Sequence, residues 1–421
     1  MSERHHSIAY CLEICIFGLA LCHGWANADD WPRFQGPNGN CTSDETGLMK
    51  KWPADGPKVL WTTKVGAGFG GVVVENGKVY ILDRETSNKD ILRCIDLGTG
   101  EDLWTFSYDA PGKISYPGSR SHPTLDKDNV YIAGPMGDLH CISKETHKPV
   151  WHINMLEKFE ARLPRWAMSQ APALYKNTVI VAPVGRSAGV VALDRKSGQT
   201  VWKSQSLEGQ TSYASPIVTT IGGVDQVMVI TTTGITGVDA SNGKILWYNG
   251  DWQCRIPIAS PVHLGDGRVF TSGGYGSGSI MLRVSKTAGG FETKTIFKNA
   301  DCKGQIHQPI LYKGHLYVNA NDKGKREGLM CMDLDGNTKW KTFRTPGFDW
   351  GGMLLADNML YVVDGDRGEL CLVKPDPAGY QELGRAKYLG GEQIWGTIAI
   401  SEGKILLRDQ KQLRCVDIKG P

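Results

Sequence analysis

Tryptophan recurs along the chain at intervals of roughly forty-five residues, each time in the same local sequence. An acidic residue, a glycine and an apolar residue precede it, as in the stretch that runs from Asp194 through Gly198 to Trp202. The recurring residues are Trp61, Trp104, Trp151, Trp202, Trp247 and Trp340, with Phe297 where one aromatic residue is missing. A repeat of this length, rich in turns and β-branched residues, is typical of a β-propeller with four-stranded blades.

Within each repeat, Asn-Gly or Asp-Gly pairs such as Asn76-Gly77 and Asp266-Gly267 separate two apolar runs. Such pairs form tight hairpins, because both central residues must adopt a positive φ. Eight repeats end at Trp104, Trp151, Trp202, Trp247, Phe297, Trp340, Tyr388 and Trp61. The sequence therefore predicts an all-β fold, an eight-bladed β-propeller of four-stranded antiparallel blades that spans residues 57–421.

The two ends of the repeat array complement each other. The last repeat stops at Pro421, after its turn but before a fourth strand, and the missing phrase lies at Pro57-Lys58-Val59-Leu60-Trp61. We expect this N-terminal strand to complete the C-terminal blade, since closure removes exposed sheet edges. Residues 29–56 are predicted to form an N-terminal extension that packs on the propeller.

Residues 1–28 have the pattern of a secretory signal peptide. Arg4 gives a basic start, an apolar core runs from Ile14 to Leu21, and Ala26-Asn27-Ala28 is a small-x-small cleavage site. The apolar core is too short to span a bilayer. We expect export to the periplasm or cell envelope, as a soluble protein or one peripheral to a membrane. A lipid anchor on Cys22 and a disordered cytoplasmic leader are the alternatives.

The cysteines beyond residue 28 fall into two main groups. Five are predicted to hold one equivalent, buried blade position where small apolar side chains pack: Cys94, Cys141, Cys331, Cys371 and Cys415. Cys254 and Cys302 each precede a repeat-start proline by seven residues, on loops of adjacent blades. A disulfide between these two is an alternative to two packing thiols in an oxidising compartment.

The stretch Trp31-Pro32-Arg33-Phe34-Gln35-Gly36-Pro37-Asn38-Gly39 and the later Gly56-Pro57-Lys58-Val59-Leu60-Trp61 are more specific. With the repeat phrase, they resemble the exported bacterial pyrroloquinoline-quinone (PQQ)-like β-propeller repeat proteins. The resemblance covers nearly all of the chain after residue 28 and implies an eight-bladed fold. The wider superfamily includes quinoprotein alcohol dehydrogenases and the outer-membrane assembly lipoprotein BamB.

Quinoprotein dehydrogenases of that superfamily use PQQ with Ca²⁺, an aspartate base and typically a vicinal disulfide. This sequence contains no Cys-Cys pair and no Cys-x-x-Cys-His haem motif. Walker, His-Glu-x-x-His and Gly-x-Ser-x-Gly motifs are absent as well. We therefore expect no cofactor, no metal and no catalytic residues. The formal charge of +3, without long runs of Lys or Arg, disfavours nucleic acid as a partner.

The residues just before each first strand should ring one mouth of the central channel. The candidate binding residues are Arg120, His122, Trp166, Gln170, Tyr213, Arg255, His307, Gln308, Asp349, Trp350 and Trp395. The same ring includes Phe69, Tyr116, Arg165, Trp252, Gln305 and Gln393. Flat rings for stacking and arginines for an anionic or planar ligand suit a binding funnel. In the alternative interpretation, Trp350 and Trp395 only plug the channel.

Two functional hypotheses follow from these features. The first is an exported, monomeric, non-catalytic propeller that binds or scaffolds a protein or small ligand at the central funnel. The alternative is a periplasmic oxidoreductase with PQQ and Ca²⁺, or another small-molecule enzyme in which Asp349 is the base and His122 or His307 assists.

Overall fold

The computed structural model describes residues 30–86, 88–322 and 327–421, and it shows eight β-sheets arranged as blades. The predicted signal peptide, including Cys22, lies outside the described residues. Within the described part of the chain the one α-helix is the single-turn α1 (Met155–Lys158). No helix there has both the length and the apolar composition needed to cross a bilayer.

Two strands precede the first blade, β1 (Thr42–Ser43) and β2 (Val59–Lys64). Blade 1 contains β3 (Val73–Glu75), β4 (Lys78–Thr86), β5 (Lys89–Asp96) and β6 (Asp102–Asp109). Blade 2 contains β7 (Thr124–Leu125), β8 (Asn129–Ala133), β9 (Asp138–Ser143) and β10 (Pro149–Asn154). Blade 3 contains β11 (Ala173–Tyr175), β12 (Thr178–Val181), β13 (Val191–Asp194) and β14 (Thr200–Lys203). Blade 4 contains β15 (Ile217–Ile221), β16 (Val224–Thr231), β17 (Gly234–Asp239) and β18 (Ile245–Asn249).

Blade 5 contains β19 (Val262–His263), β20 (Arg268–Gly273), β21 (Gly278–Thr287) and β22 (Gly290–Asn299). Blade 6 contains β23 (Ile310–Tyr312), β24 (His315–Asn319), β25 (Leu329–Asp333) and β26 (Thr338–Lys341). Blade 7 contains β27 (Met353–Ala356), β28 (Met359–Asp364), β29 (Glu369–Lys374) and β30 (Gln381–Lys387). Blade 8 contains β31 (Ala399–Ser401), β32 (Lys404–Arg408) and β33 (Gln412–Asp417).

The predicted ring closure is confirmed. Strand β2 pairs antiparallel with β33, and Trp61 lies opposite Cys415, so blade 8 has the order β2-β33-β32-β31. The N-terminal strand is therefore the outermost strand of the C-terminal blade. Because both ends of the array share one sheet, separating blade 8 from blade 1 requires breaking a complete strand ladder.

The recurring tryptophans link neighbouring blades, as the repeat predicts. In four of them the indole nitrogen donates a hydrogen bond to a main-chain oxygen at the turn of the next blade. The pairs are Trp61 to Leu97 (2.9 Å), Trp151 to Arg195 (2.8 Å), Trp202 to Ala240 (3.2 Å) and Trp340 to Asp376 (2.7 Å). The ring also lies against the turn glycine: a Cβ on Gly100 would come within 2.5 Å of the Trp61 ring. Glycine at that turn therefore allows the indole to dock.

Trp247 departs from this pattern. Its indole nitrogen donates to the side-chain oxygen of Gln226 in its own blade, at 2.6 Å. The next blade lacks the acidic-residue-to-glycine turn, because β21 and β22 continue as a long hairpin that closes at Thr287 and Gly290. With no docking turn available, a buried glutamine satisfies the buried indole N–H.

Blade 7 corrects two predictions. In the other blades, the docking aromatic lies opposite the residue just before a β-bulge, as in the pairs Cys94–Trp104 and Cys331–Trp340. In blade 7 the corresponding pair is Leu372 and Gly384. The assignment of Tyr388 as the terminal aromatic residue of blade 7 was therefore wrong, since Tyr388 follows β30. The assignment of Cys371 to the shared cysteine position was also wrong. Leu372 holds that position, and Cys371, one residue earlier, points to the opposite face of the strand.

The N-terminal extension supplies the aromatic residue that blade 7 lacks. The buried indole of Trp52 lies against Gly384, where a Cβ would approach the indole to 2.9 Å. The Trp52 ring is 6.5 Å from that of Tyr361, and in blade 1 the Tyr80 and Trp104 rings are 6.0 Å apart. Trp52 thus occupies the place of a docking tryptophan although it belongs to a distant part of the sequence.

The extension also crosses one end of the central channel. Trp31 forms two main-chain hydrogen bonds with Val74 of β3, and the Pro32 oxygen accepts one from Leu125 of β7. Strand β1 then pairs parallel with β27, on the channel side of blade 7. Because β3, β7 and β27 are the inner strands of their blades, residues 31–43 cover the inner strands at that end.

The described cysteines are free, buried thiols. The alternative of a Cys254–Cys302 disulfide is wrong, because the two thiols lie in separate hydrophobic clusters: Cys254 packs with Trp252 between blades 4 and 5, and Cys302 packs with Phe270 between blades 5 and 6. Burial raises the pKa of Cys302 to about 11, so this thiol stays protonated at neutral pH.

Replacing Trp52 with alanine should lower the free energy of unfolding by about 3–5 kcal/mol, because it leaves a cavity at the blade 7 interface. The measurement is urea denaturation of the purified protein. The matched control is Leu103→Ala, at a side chain that is 48% exposed, and it should change the free energy by less than about 0.5 kcal/mol. A loss below about 1 kcal/mol for Trp52→Ala would contradict the docking role.

Candidate ligand pocket on the propeller axis

A cavity of about 170 Å³ lies on the axis of the propeller, and all eight blades contribute to its wall. Most of its lining residues come from the loops that precede the first strand of each blade. They are Phe69, Tyr116, Arg120, His122, Trp166, Ser169, Tyr213, Ser215, Ile258, Gln305, Ile306, His307, Gln308, Trp350, Trp395 and Thr397. Phe34 and Tyr275 complete the lining.

The structure brings together eight of the eleven candidate residues from the sequence. These are Arg120, His122, Trp166, Tyr213, His307, Gln308, Trp350 and Trp395. Phe69, Tyr116 and Gln305, also placed in the ring, lie in the same wall. Trp350 and Trp395 line the cavity and do not fill it, so they are not a plug of the channel.

The other three candidates lie elsewhere. The amide of Gln170 is buried and bonded to both main-chain groups of Ala182, at 3.0 and 3.3 Å, which is a structural role. Arg255 lines a second, neighbouring cavity. Asp349 accepts a hydrogen bond from the indole nitrogen of Trp395 at 3.3 Å, behind the wall, and burial raises the pKa of its carboxyl. Asp349 therefore orients a wall tryptophan.

Part of the pocket lining comes from the N-terminal extension, which the repeat pattern did not place at the channel mouth. The Phe34 ring, on the N-terminal extension, lies 4.9 Å from the ring of His122. Residues 31–43 pair with inner strands on that side, and Phe34 lines the cavity from the extension.

Aromatic rings form most of the wall. Trp395 is stacked on Phe69, with ring centroids 5.4 Å apart and planes at 25°, and it meets Trp350 edge to face at 4.9 Å. On another side, the rings of Trp166 and Tyr213 are 5.7 Å apart. Such rings hold one another in place and offer flat, apolar faces to a ligand.

Arg120 is the one residue of this lining with a permanent charge. Its guanidinium donates to the oxygens of Gly118 at 2.8 Å and Tyr116 at 2.5 Å, and it lies 5.3 Å from the centre of the Phe69 ring. Burial lowers the pKa of Arg120 to about 10, so the cation persists at neutral pH. Because carbonyl dipoles and a ring face compensate this charge only in part, the pocket favours an anionic group.

Both histidines of the wall are uncharged at neutral pH. Burial lowers the pKa of His122 to about 3 and that of His307 to about 4. The main-chain N–H of Gly71 donates to Nε2 of His122 at 3.0 Å, so Nδ1 carries the ring proton. In His307, Nε2 donates to the Trp350 oxygen at 2.9 Å, which leaves Nδ1 as an acceptor. The two rings are thus held in opposite tautomers.

Sequence reasoning missed several lining residues. They are Phe34, Ser169, Ser215, Ile258, Tyr275, Ile306 and Thr397. A signal existed for Ser215, because it directly precedes Pro216 just as His122 precedes Pro123. Tyr275 lies in the turn between β20 and β21, and Phe34 comes from the extension, so the repeat pattern could not place either of them in the pocket.

Comparison with known proteins bears on this architecture. The family model described as outer membrane protein assembly factor BamB matches residues 87–342, more than half of the chain. The chain belongs to this BamB-like family of PQQ-type β-propellers.

Solved structures agree with the fold of the BamB-like propeller. BamB from Moraxella catarrhalis superposes with a TM-score of 0.59 at 14% identity, covering 86% of this chain and 98% of that one. Quinohemoprotein alcohol dehydrogenase from Comamonas testosteroni gives a TM-score of 0.62 at 14% identity, covering 94% of this chain and 82% of that one. At such identities the similarity concerns the fold alone.

A curated relative shares part of the BamB-like sequence. Quinohemoprotein alcohol dehydrogenase of Comamonas testosteroni is 27% identical over 148 residues, which are 33% of this chain and 20% of that protein. The chain therefore spans about a fifth of the length of this relative. The present protein is thus similar in fold both to a BamB and to a quinohemoprotein alcohol dehydrogenase.

The residues of the pocket do not fit PQQ bound together with Ca²⁺. Calcium takes six to eight oxygen ligands, usually with several carboxylates, and no Asp or Glu lines this cavity. Across the described ranges, no group of three His, Cys, Asp or Glu side chains is placed to hold a metal ion. Asp349, the aspartate considered as a base, is not part of the cavity lining, and its Oδ2 accepts the indole N–H of Trp395.

The buried histidines predict a loss of stability in acid. The unfolded chain protonates its histidines below about pH 6.5, whereas His122 and His307 in the folded BamB-like propeller stay neutral down to about pH 3 and 4. His140, at the interface of blades 1 and 2, has a pKa lowered to about 4 by burial and the neighbouring His152. Stability should therefore fall as the pH drops from 6.5 to 4, measured as the unfolding midpoint at each pH.

Buried carboxyls with a raised pKa, Asp90 and Asp349, act in the opposite direction. Burial raises the pKa of Asp90 to about 6, so Asp90 destabilises the fold as the pH rises from 3.8 to 6 and offsets part of the histidine effect. His307→Gln keeps a donor for the Trp350 oxygen but cannot titrate, and it should flatten the decline relative to the unmodified protein. An equal decline in the two proteins would refute this assignment.

Proposed function

We propose that the protein is an exported, non-catalytic binding module whose functional site is the axial pocket. The observation that carries this proposal is the composition of the wall: stacked aromatic rings, neutral histidines, and the cation of Arg120 without a carboxylate partner. Pockets of this kind bind ligands by burying flat apolar surface, and a few polar groups fix the orientation. We propose a planar ligand that bears an anionic group.

The ligand would enter from the mouth opposite Phe34. Its flat face would stack on Trp350, Trp395 or Trp166, and its anionic group would bind Arg120. The polar groups of the wall, among them His122 and His307, would discriminate between ligands with different donors and acceptors. These contacts require no chemical step.

Binding of 1-anilinonaphthalene-8-sulfonate, which combines a flat ring with one negative charge, tests the proposal. We expect a single site per chain, detected by its fluorescence. Trp350→Ala should weaken binding about tenfold because a stacking face is lost. Arg120→Gln should weaken it about fivefold because the sulfonate loses its cation.

Arg344→Gln is the matched control, since Arg344 is exposed and lies outside the pocket, and it should bind the probe as the unmodified protein does. Circular dichroism verifies that each variant is folded. Retention of full affinity by both pocket variants would rule out this site. Reconstitution with PQQ and Ca²⁺ addresses the alternative: reduction of an acceptor dye by alcohols or sugars would contradict a non-catalytic module.

The proposed export depends on the predicted signal peptide, residues 1–28, and it can be tested separately. When the full chain is expressed in a Gram-negative host, the protein recovered from the periplasm should begin at Asp29, as measured by intact mass. Ala28→Arg should block processing, because the cleavage site requires small residues. A mass corresponding to an acylated Cys22 would indicate the lipid-anchored alternative, and unprocessed protein in the cytoplasm would contradict export.

A further inference from the structure

A second cavity, of about 520 Å³, lies beside the axial pocket and shares two of its walls, Trp166 and Tyr213. We call it the arginine groove, after its four arginines Arg162, Arg165, Arg186 and Arg255. They come from three separate loops, before β11, between β12 and β13, and before β19. The tertiary fold therefore assembles this cluster, which is not a run in the sequence.

The charges of the arginine groove are unbalanced. Glu160 is the one acidic residue of its lining, against four arginines. None of the four guanidinium groups has an ion pair or a side-chain hydrogen bond within the described residues. Elsewhere in the propeller, Arg84 forms an ion pair with Asp90 at 2.6 Å and Arg385 with Glu369 at 2.7 Å. Four unpaired cations around one concave surface raise the local concentration of anions.

The shared walls connect the arginine groove to the axial pocket. A ligand ring that stacked on Trp166 in the pocket would lie next to Arg165, because the Arg165 guanidinium is 5.6 Å from the centre of the Trp166 ring. Tyr213, on the same wall, is uncharged and lines both cavities. The two cavities are thus adjacent, separated by Trp166 and Tyr213, so a ligand that spans both would have to pass these two residues.

We infer that the ligand of the axial pocket is a planar molecule with a flexible tail that carries two or more anionic groups, and that the tail binds the arginine groove. This inference rests on the proposed function and specifies its ligand class. Guanidinium groups match the planar fork of carboxylates and phosphates, so the shared chemistry is a di- or polyanion. The groove is larger than the axial pocket, which suits a tail with more than one anionic group.

Adenosine, AMP and ADP are suitable probes, because they keep one ring and sugar and differ in the charge of the tail. At low ionic strength ADP should bind about tenfold or more tightly than adenosine, with AMP between them. This advantage should shrink in roughly 0.5 M salt because exposed charges are screened. Isothermal titration calorimetry on the full protein measures each affinity.

The double variant Arg186→Gln/Arg255→Gln should reduce the ratio of ADP affinity to adenosine affinity by about fivefold or more. Arg344→Gln, outside both cavities, is the charge-matched control and should preserve the ratio. Inorganic pyrophosphate and citrate, added as competitors, separate phosphate from carboxylate tails, since displacement of ADP by either one supports a polyanion site. Failure of both to compete would overturn the inference.

The inference and the proposed function fail in different ways. If the naphthalene sulfonate binds the axial pocket but ADP and adenosine bind equally, the inference is wrong and the proposed function stands. If neither class of probe binds, both are wrong. A hexaglutamate peptide that binds more tightly than ADP, and equally to Trp350→Ala, would also overturn the inference by assigning the groove to an acidic protein partner.

Discussion

The docking of an aromatic side chain between neighbouring blades is the contact on which the rest of this structure depends. A blade in a propeller packs only on its two neighbours, so each interface must be sealed by its own contact. The indole fits because the facing turn has a glycine, and its nitrogen is satisfied by a main-chain oxygen, as for Trp61 and Trp151. Where the turn is missing, Gln226 satisfies Trp247 from within the blade.

The N-terminal segment completes both the ring and the site. Strand β2 closes blade 8, Trp52 fills the docking place that Gly384 leaves open in blade 7, and residues 31–43 cover one end of the channel. The same segment brings Phe34 under the axial pocket. One N-terminal segment therefore contributes both to ring closure and to the lining of the pocket.

Burial sets the charge states of the polar groups that line the axial pocket. Desolvation keeps His122 and His307 neutral and opposes the charge of Arg120, while main-chain oxygens and the Phe69 ring partly compensate that charge. An anion that displaces water from Arg120 gains more in this apolar setting than it would at the surface. The neighbouring arginine groove adds four exposed cations beside the axial pocket.

The repeat spacing alone determined the number of blades, the strand count, ring closure by residues 57–61 and eight of the eleven candidate pocket residues, because these follow from the periodicity. It placed Tyr388 and Cys371 wrongly, because blade 7 has Gly384 where the other repeats have their aromatic residue, so the repeat phrase could not fix the register there. Only the tertiary structure decided that Trp52 and Phe34 act within the propeller, that Gln170, Arg255 and Asp349 leave the pocket wall, and that four arginines from separate loops meet. Those outcomes depend on contacts between segments far apart in sequence, whose positions no local pattern encodes.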